Sequence, residues 1–128
     1  MYETLKLGEH YICDFSNCNG QLLKNSEELY ALFSRAVRES GLTVVEEALY
    51  KFSPHGFTCF LLLAESHASL HAWPEYGYCA IDLFTCQLGK DHMPLIEHLK
   101  EALGAERSTV QKLERATQWV NPRTSLKE

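Results

Sequence analysis

No apolar run in this 128-residue chain approaches the ~18 residues that a membrane-spanning helix needs. The longest, Cys59 to Ala64, has the length of a buried strand, so no membrane partner is expected. Basic charge is also short: 12 Lys and Arg stand against 17 Asp and Glu, a net charge of −5. Phosphate backbones are bound by clustered Lys and Arg, so a nucleic-acid partner is not expected either. The first residues, Met1-Tyr2-Glu3-Thr4-Leu5-Lys6, lack the basic-then-apolar order of a secretory leader. Without such a leader, an odd number of cysteines (Cys13, Cys18, Cys59, Cys79, Cys86) points to reduced thiols in a cytoplasmic protein. Cys13 and Cys18 do not form a CxxC pair, which argues against a zinc knuckle. Most of the thiols are expected to pack as small buried hydrophobes. Internal repeats and low-complexity segments are missing as well.

What is present fits a single domain over 1–128, large enough for one layered core and small enough that pairing would help bury apolar surface. Residues 9–15 suit a strand, and Asn17 to Gly20 is turn material. Asn25, with Glu28 three residues on, makes a capping box for a helix whose apolar positions are Leu29, Leu32, Phe33, Ala36 and Val37. Gly41 stops that helix. Residues 42–53 are rich in β-branched and aromatic side chains. Pro54-His55-Gly56 is a turn, and the near-continuous apolar run 57–64 fits a strand covered on both faces. Strands at 68–73 and 78–85 flank a Pro74-Glu75-Tyr76-Gly77 loop. Pro94 suits the first turn of a second helix carrying Leu95, Ile96, Leu99 and Leu103. Residues 108–114 allow a last strand, and the tail from about 115 is expected to be loosely held. Consecutive strands joined by tight turns imply antiparallel pairing. The predicted architecture is an α+β two-layer sandwich, an antiparallel sheet covered on one face by two helices.

Chemistry concentrates between residues 65 and 86. Side chains alternate along a strand, so Ser69, His71 and Trp73 share one face, and Tyr78, Ala80, Asp82 and Phe84, continuing to Cys86, share another. If Trp73 pairs with Tyr78, His71 lies opposite Ala80 and Ser69 opposite Asp82. A polar patch then sits beside aromatic rings. A metal site on His67, His71 and Glu75 requires a helix, which Pro74 opposes. In a strand the two histidines lie about 13 Å apart, too far to share a zinc ion, so no metal is expected. A Ser66–His71–Asp82 hydrolase lacks a G-x-S-x-G nucleophile elbow.

Three segments carry a family resemblance: Glu65-Ser66-His67; His71-Ala72-Trp73-Pro74-Glu75-Tyr76-Gly77-Tyr78; and Ala80-Ile81-Asp82-Leu83-Phe84-Thr85-Cys86. Phe52-x-Pro54-x-Gly56 and Glu97-His98-Leu99-Lys100 extend it weakly, so about half of the chain carries the signal. These segments resemble the prokaryotic-type S-adenosylmethionine decarboxylases, small pyruvoyl enzymes that mature by self-cleavage. The resemblance implies cleavage between Glu65 and Ser66 into a β chain, 1–65, and an α chain, 66–128. Ser66 would become a covalent pyruvoyl group that forms a Schiff base with substrate, so that no PLP is needed. It further implies His71 as the processing base and Cys86 as the proton donor. Thr58 would support processing from a position where the family commonly has serine. Phe52 and Trp73 would hold the adenine, and Glu75 the ribose hydroxyls. A homodimer of processed protomers is implied too.

The same pyruvoyl chemistry could act on ornithine or arginine, although Phe52, Trp73 and Glu75 argue for a nucleoside. An inactive regulatory paralogue could lose Ser66, His71 or Cys86 freely, yet all three are present.

Overall fold

Alternating apolar residues give each strand one face to bury, and in the computed structural model, which describes residues 6–116, six strands bury that face together. The element order is β1 (Gly8–Ser16), α1 (Gly20–Lys24), α2 (Ser26–Glu39), β2 (Val44–Lys51), β3 (Phe57–Leu63), β4 (Ser66–Trp73), a 3₁₀ turn (Pro74–Tyr76), β5 (Tyr78–Thr85), α3 (Met93–Ala102) and β6 (Arg107–Arg115). The sheet runs β2-β3-β4-β5-β1-β6, with every neighbouring pair antiparallel.

Half of the capping box forms as its spacing predicts: Asn25 Oδ1 accepts the Glu28 N–H at 3.1 Å. The Glu28 carboxylate accepts from the Asn25 side-chain Nδ2 at 3.3 Å, because the Asn25 backbone N–H donates to the Leu22 carbonyl at the end of α1. The helix that follows buries Leu29, Phe33, Ala36 and Val37, while α3 buries Leu95, Ile96 and Leu99. These side chains meet Tyr11, Cys13 and Phe15 of β1, Cys59 and Leu61 of β3, Leu70 of β4, and Ile81 and Leu83 of β5 in one core. Each fully buried Leu or Phe contributes roughly 1.5–3 kcal/mol, and truncating one such as Phe33 to Ala costs about 3–5 kcal/mol. The result is the expected α+β sandwich, with the described helices on one side of the sheet.

Three local expectations change. The segment read as a turn at Asn17 to Gly20 leads directly into α1, whose cap is Asn19; its Oδ1 accepts the Gln21 and Leu22 N–H groups at 3.0 and 3.2 Å. Strand β4 begins at Ser66, two residues earlier than its pattern suggests. Strand β3 is covered on one face within this chain, not two. Phe57, Cys59, Leu61 and Leu63 are buried, but Phe60 and Leu62 remain 40 and 42 % exposed because none of the described helices crosses their side of the sheet. The expectation for the tail falls almost wholly on 117–128, outside the described residues.

Candidate active site

The Glu65–Ser66 peptide sits in the two-residue turn between β3 and β4. Ser66 pairs with Leu63 behind it and with Thr85 of β5 beside it. That register places Cys86, the first residue after β5, against Glu65. The Glu65 carbonyl oxygen accepts the Cys86 N–H at 2.8 Å. Ser66 has φ +144°, a backbone region that L residues rarely adopt. Such a residue stores on the order of 1–3 kcal/mol, held only where its surroundings enforce it. A hydrogen-bonded carbonyl and a residue of strained backbone torsion that carries a hydroxyl therefore flank one peptide bond.

Cys86 differs from the other thiols. Cys13, Cys18, Cys59 and Cys79 are buried, and Cys86 is exposed. Burial pushes the Cys13 and Cys59 thiols up to about 12 and Cys18 up to about 11, with Cys79 raised further. These four are held as neutral thiols, which leaves Cys86 as the accessible sulfur next to Ser66.

His71 lies at the other end of β4. Its neighbour across the β3–β4 ladder is Thr58, and Thr58 Oγ1 is 3.0 Å from His71 Nδ1. With the proton on Nδ1 and donated to Thr58, Nε2 is left as a free base. Thr58 and His71 also line a cleft of about 400 Å³ with Phe52, His55, Ala72, Trp73 and Glu75. Phe52 and Trp73 are 50 and 41 % exposed, so their rings are open to a ligand. His71 and Trp73 stand 6.2 Å apart, and Trp73 stacks obliquely on Tyr78 at 5.3 Å. Tyr78 donates its hydroxyl to Asp14; that bond favours the protonated phenol, so its pKa rises to about 12.

The expected register holds: Trp73 pairs with Tyr78, His71 with Ala80 and Ser69 with Asp82. The structure thus unites Thr58, His71, Phe52, Trp73 and Glu75, and separately unites Glu65, Ser66 and Cys86. It does not unite the two groups within one chain. Ser66 and His71 are five residues apart in one extended strand, about 16 Å at roughly 3.3 Å per residue. Asp82 does not reach His71 either; its carboxylate lies 3.9 Å from His10 Nε2. Among the described residues no group of three or more His, Cys, Asp or Glu is arranged to hold a metal ion. Likewise, no described helix is long and apolar enough to cross a membrane.

His55 was not among the residues singled out in sequence. It sits in the Pro54-His55-Gly56 turn, where only the turn signal is visible, and the fold carries it to the mouth of the cleft. His10 and His67 were also not assigned a site role. Between the two groups, His67 stacks on Phe60 at 5.3 Å and meets His10 edge-on at 6.3 Å. Nε2 of His10 is buried without a hydrogen-bond partner.

An antiparallel sheet open on one face, with a Glu–Ser turn at one end of β4 and an aromatic cleft at the other, is the arrangement of a decarboxylase proenzyme class. The comparisons agree. The family model for S-adenosylmethionine decarboxylase matches residues 9–116. The S-adenosylmethionine decarboxylase proenzyme of Thermotoga maritima is 41 % identical over 109 residues, covering 85 % of this chain and 84 % of the relative. That of Acidithiobacillus ferrooxidans is 35 % identical over 109 residues, covering 85 and 82 %. A crystal structure of the adenosylmethionine decarboxylase from Aquifex aeolicus superposes with a TM-score of 0.81 at 31 % identity, covering 91 % of this chain and 95 % of that one. The chain belongs to the S-adenosylmethionine decarboxylase family, in its bacterial form.

Proposed function

We propose that this protein cleaves itself at Glu65–Ser66 and then, as a homodimer, decarboxylates S-adenosylmethionine to the aminopropyl donor of spermidine synthesis. The observation that carries this reading is the state of the Glu65–Ser66 peptide, strained at Ser66 and hydrogen-bonded at its carbonyl by Cys86. Attack of Ser66 Oγ on the Glu65 carbonyl carbon moves negative charge onto the oxygen that already faces the Cys86 N–H. The C–N bond then breaks as the nitrogen takes up a proton, and an ester replaces the amide. A base removes the Ser66 Cα proton, the Cβ–O bond breaks, and residues 1–65 leave with a Glu65 carboxylate. The dehydroalanine at 66 takes up water and releases ammonia, leaving a pyruvoyl group. That group supplies the electron sink for loss of CO₂. Cys86, exposed and adjacent to position 66, is placed to return a proton to the substrate carbon.

His71 suits the base, but it stands too far from the Ser66 of its own chain. A second copy on the open sheet face would supply the base. Phe60, Leu62 and Leu113 are 40 to 45 % exposed there, beside the unpartnered Nε2 of His10. A second copy related by a two-fold axis near the middle of β4 would cover this face and bring the partner's His71 to Ser66. The aromatic cleft would come with it. Phe52 and Trp73 then offer rings for the adenine, and Glu75 a carboxylate for the ribose hydroxyls, beside the Cys86 of the first protomer. Ornithine and arginine would use neither feature. The chemistry needs no metal or PLP, and a cytoplasmic enzyme is consistent with free thiols throughout.

The test is intact mass followed by CO₂ release from carboxyl-labelled S-adenosylmethionine, ornithine and arginine. Wild type should split at 65–66 and release CO₂ from S-adenosylmethionine, while Ser66→Ala should stay whole and inactive. Release from ornithine or arginine alone would move the substrate and keep the cleavage. A Ser66→Ala chain that still splits at this bond would overturn the mechanism.

A further inference from the structure

The peptide plane between Glu65 and Ser66 has an easy escape from its strain. A flip of that plane changes only ψ of Glu65 and φ of Ser66, and would carry Ser66 out of the positive-φ region. Something must prevent it. The Cys86 N–H holds the carbonyl from one side at 2.8 Å. On the other side stands Thr43, just before β2. Its N–H donates to Glu65 Oε1 at 3.0 Å, and its hydroxyl donates to Oε2 at 3.2 Å. Its carbonyl accepts the Ala64 N–H at 2.9 Å, which ties the same turn once more. Both carboxylate oxygens of the residue that donates the scissile carbonyl are therefore gripped by one threonine, 22 positions earlier in the chain.

We infer that Thr43 is a positioning residue for self-cleavage: its grip on the Glu65 carboxylate holds the Glu65–Ser66 peptide in the strained, carbonyl-polarised state from which Ser66 attacks. This rests on the cleavage reading above and adds to it a residue that touches neither the nucleophile nor the base. Bidentate capture of a carboxylate by an N–H and an O–H fixes the side-chain torsions of Glu65. With the carboxylate held by Thr43 and the carbonyl by Cys86, the residue is pinned at both ends and the plane cannot turn. The role ends with cleavage. Once the bond is broken, Thr43 lies outside the 400 Å³ cleft that would bind substrate.

The experiment follows cleavage of freshly refolded chains over time on denaturing gels, with Thr43→Val, Thr43→Ser, Glu65→Ala and the double variant. Valine keeps the β-branch and the backbone N–H and removes only the hydroxyl. Thr43→Val should cleave several-fold more slowly, and Thr43→Ser should restore most of the rate. Because both changes act on one contact, Thr43→Val added to Glu65→Ala should slow cleavage no further. CO₂ release per cleaved chain should be unchanged in Thr43→Val. Melting of Thr43→Val in a Ser66→Ala background reports whether the turn merely unfolds. A wild-type cleavage rate in Thr43→Val, a fully additive double variant, or slowing matched by loss of melting temperature would each overturn the inference. A Ser66→Ala control that still splits would instead condemn the cleavage reading itself.

Discussion

Mixing two inactive chains should restore cleavage. Ser66→Ala has no nucleophile but keeps His71; His71→Ala has the reverse. Along β4 the two positions are about 16 Å apart, whereas a working base must come within ~3 Å of the proton it takes. Closing that gap inside one chain would mean tearing β4 from its ladders with β3, from Ser66 to Ala72, and with β5, from Ser66 to Trp73. A second copy closes it without disturbing either ladder. Co-refolded in equal amounts, the two variants should form hybrid dimers as about half of the population if pairing is random. In each hybrid, the Ser66 of the His71→Ala chain faces the partner's His71. About half of the His71→Ala chains should then split, on a timescale approaching that of wild type. Refolded alone, Ser66→Ala should stay whole, and His71→Ala should split far more slowly or not at all. The readout is a denaturing gel with the two chains distinguished by a tag, and sedimentation confirms the dimer. If mixing leaves the His71→Ala chain whole while dimers plainly form, His71 acts within its own chain, and both the 16 Å argument and the proposed two-fold arrangement are wrong.

Cys86→Ala should still process, at reduced rate, since the backbone N–H that faces Glu65 remains; CO₂ release per cleaved chain should fall sharply, and turnover at the wild-type rate would place the proton donor elsewhere. Trp73→Ala should weaken use of S-adenosylmethionine by one to two orders of magnitude, because a stacked base is worth roughly 1–3 kcal/mol and tenfold is about 1.4 kcal/mol; an unchanged kcat/KM would remove the ring from the substrate site. For His67, burial pushes the imidazole below its ordinary 6.5, with His10 acting in the same direction and Asp82 against it. The folded protein therefore holds that proton less readily than the unfolded chain, so His67 contributes its full stability above pH 6.5 and loses it as the pH falls. In a Ser66→Ala background, His67→Phe should flatten the acid side of a melting-temperature profile, and identical acid slopes would refute the assignment.

The sequence made the local elements readable where a local signal existed. Asn25 and Glu28 mark the start of α2 because a cap is a contact between neighbours. The β4–β5 register follows from the short loop and the Trp73–Tyr78 pair. Helix α1 escaped because five residues are too few to show a 3.6-residue period. The early start of β4 escaped because Ser66 reaches positive φ without a glycine, held by Cys86 and Thr43 from distant parts of the chain. The apolar run of β3 predicts cover on both faces because an apolar pattern reports that a face is apolar, not what covers it. For the site, the residue types near Ser66 are visible in the sequence, but their separation in space is not: Ser66 and His71 stand five residues apart, and the extended strand β4 sets them about 16 Å apart.

The sheet order has a further consequence for the mature protein. The proposed cleavage after Glu65 would assign β1, β2 and β3 to one fragment and β4, β5 and β6 to the other, yet the sheet runs β2-β3-β4-β5-β1-β6. Three of its five ladders (β3–β4, β5–β1 and β1–β6) join one fragment to the other. The fragments would be interleaved, so the cut would free neither. Refolding, however, would change in kind: the precursor assembles its sheet as one chain, while a cleaved protein would have to bring two separate polypeptides together in the right order. Cleavage would then act as a ratchet, setting the fold once and leaving no single-chain route back.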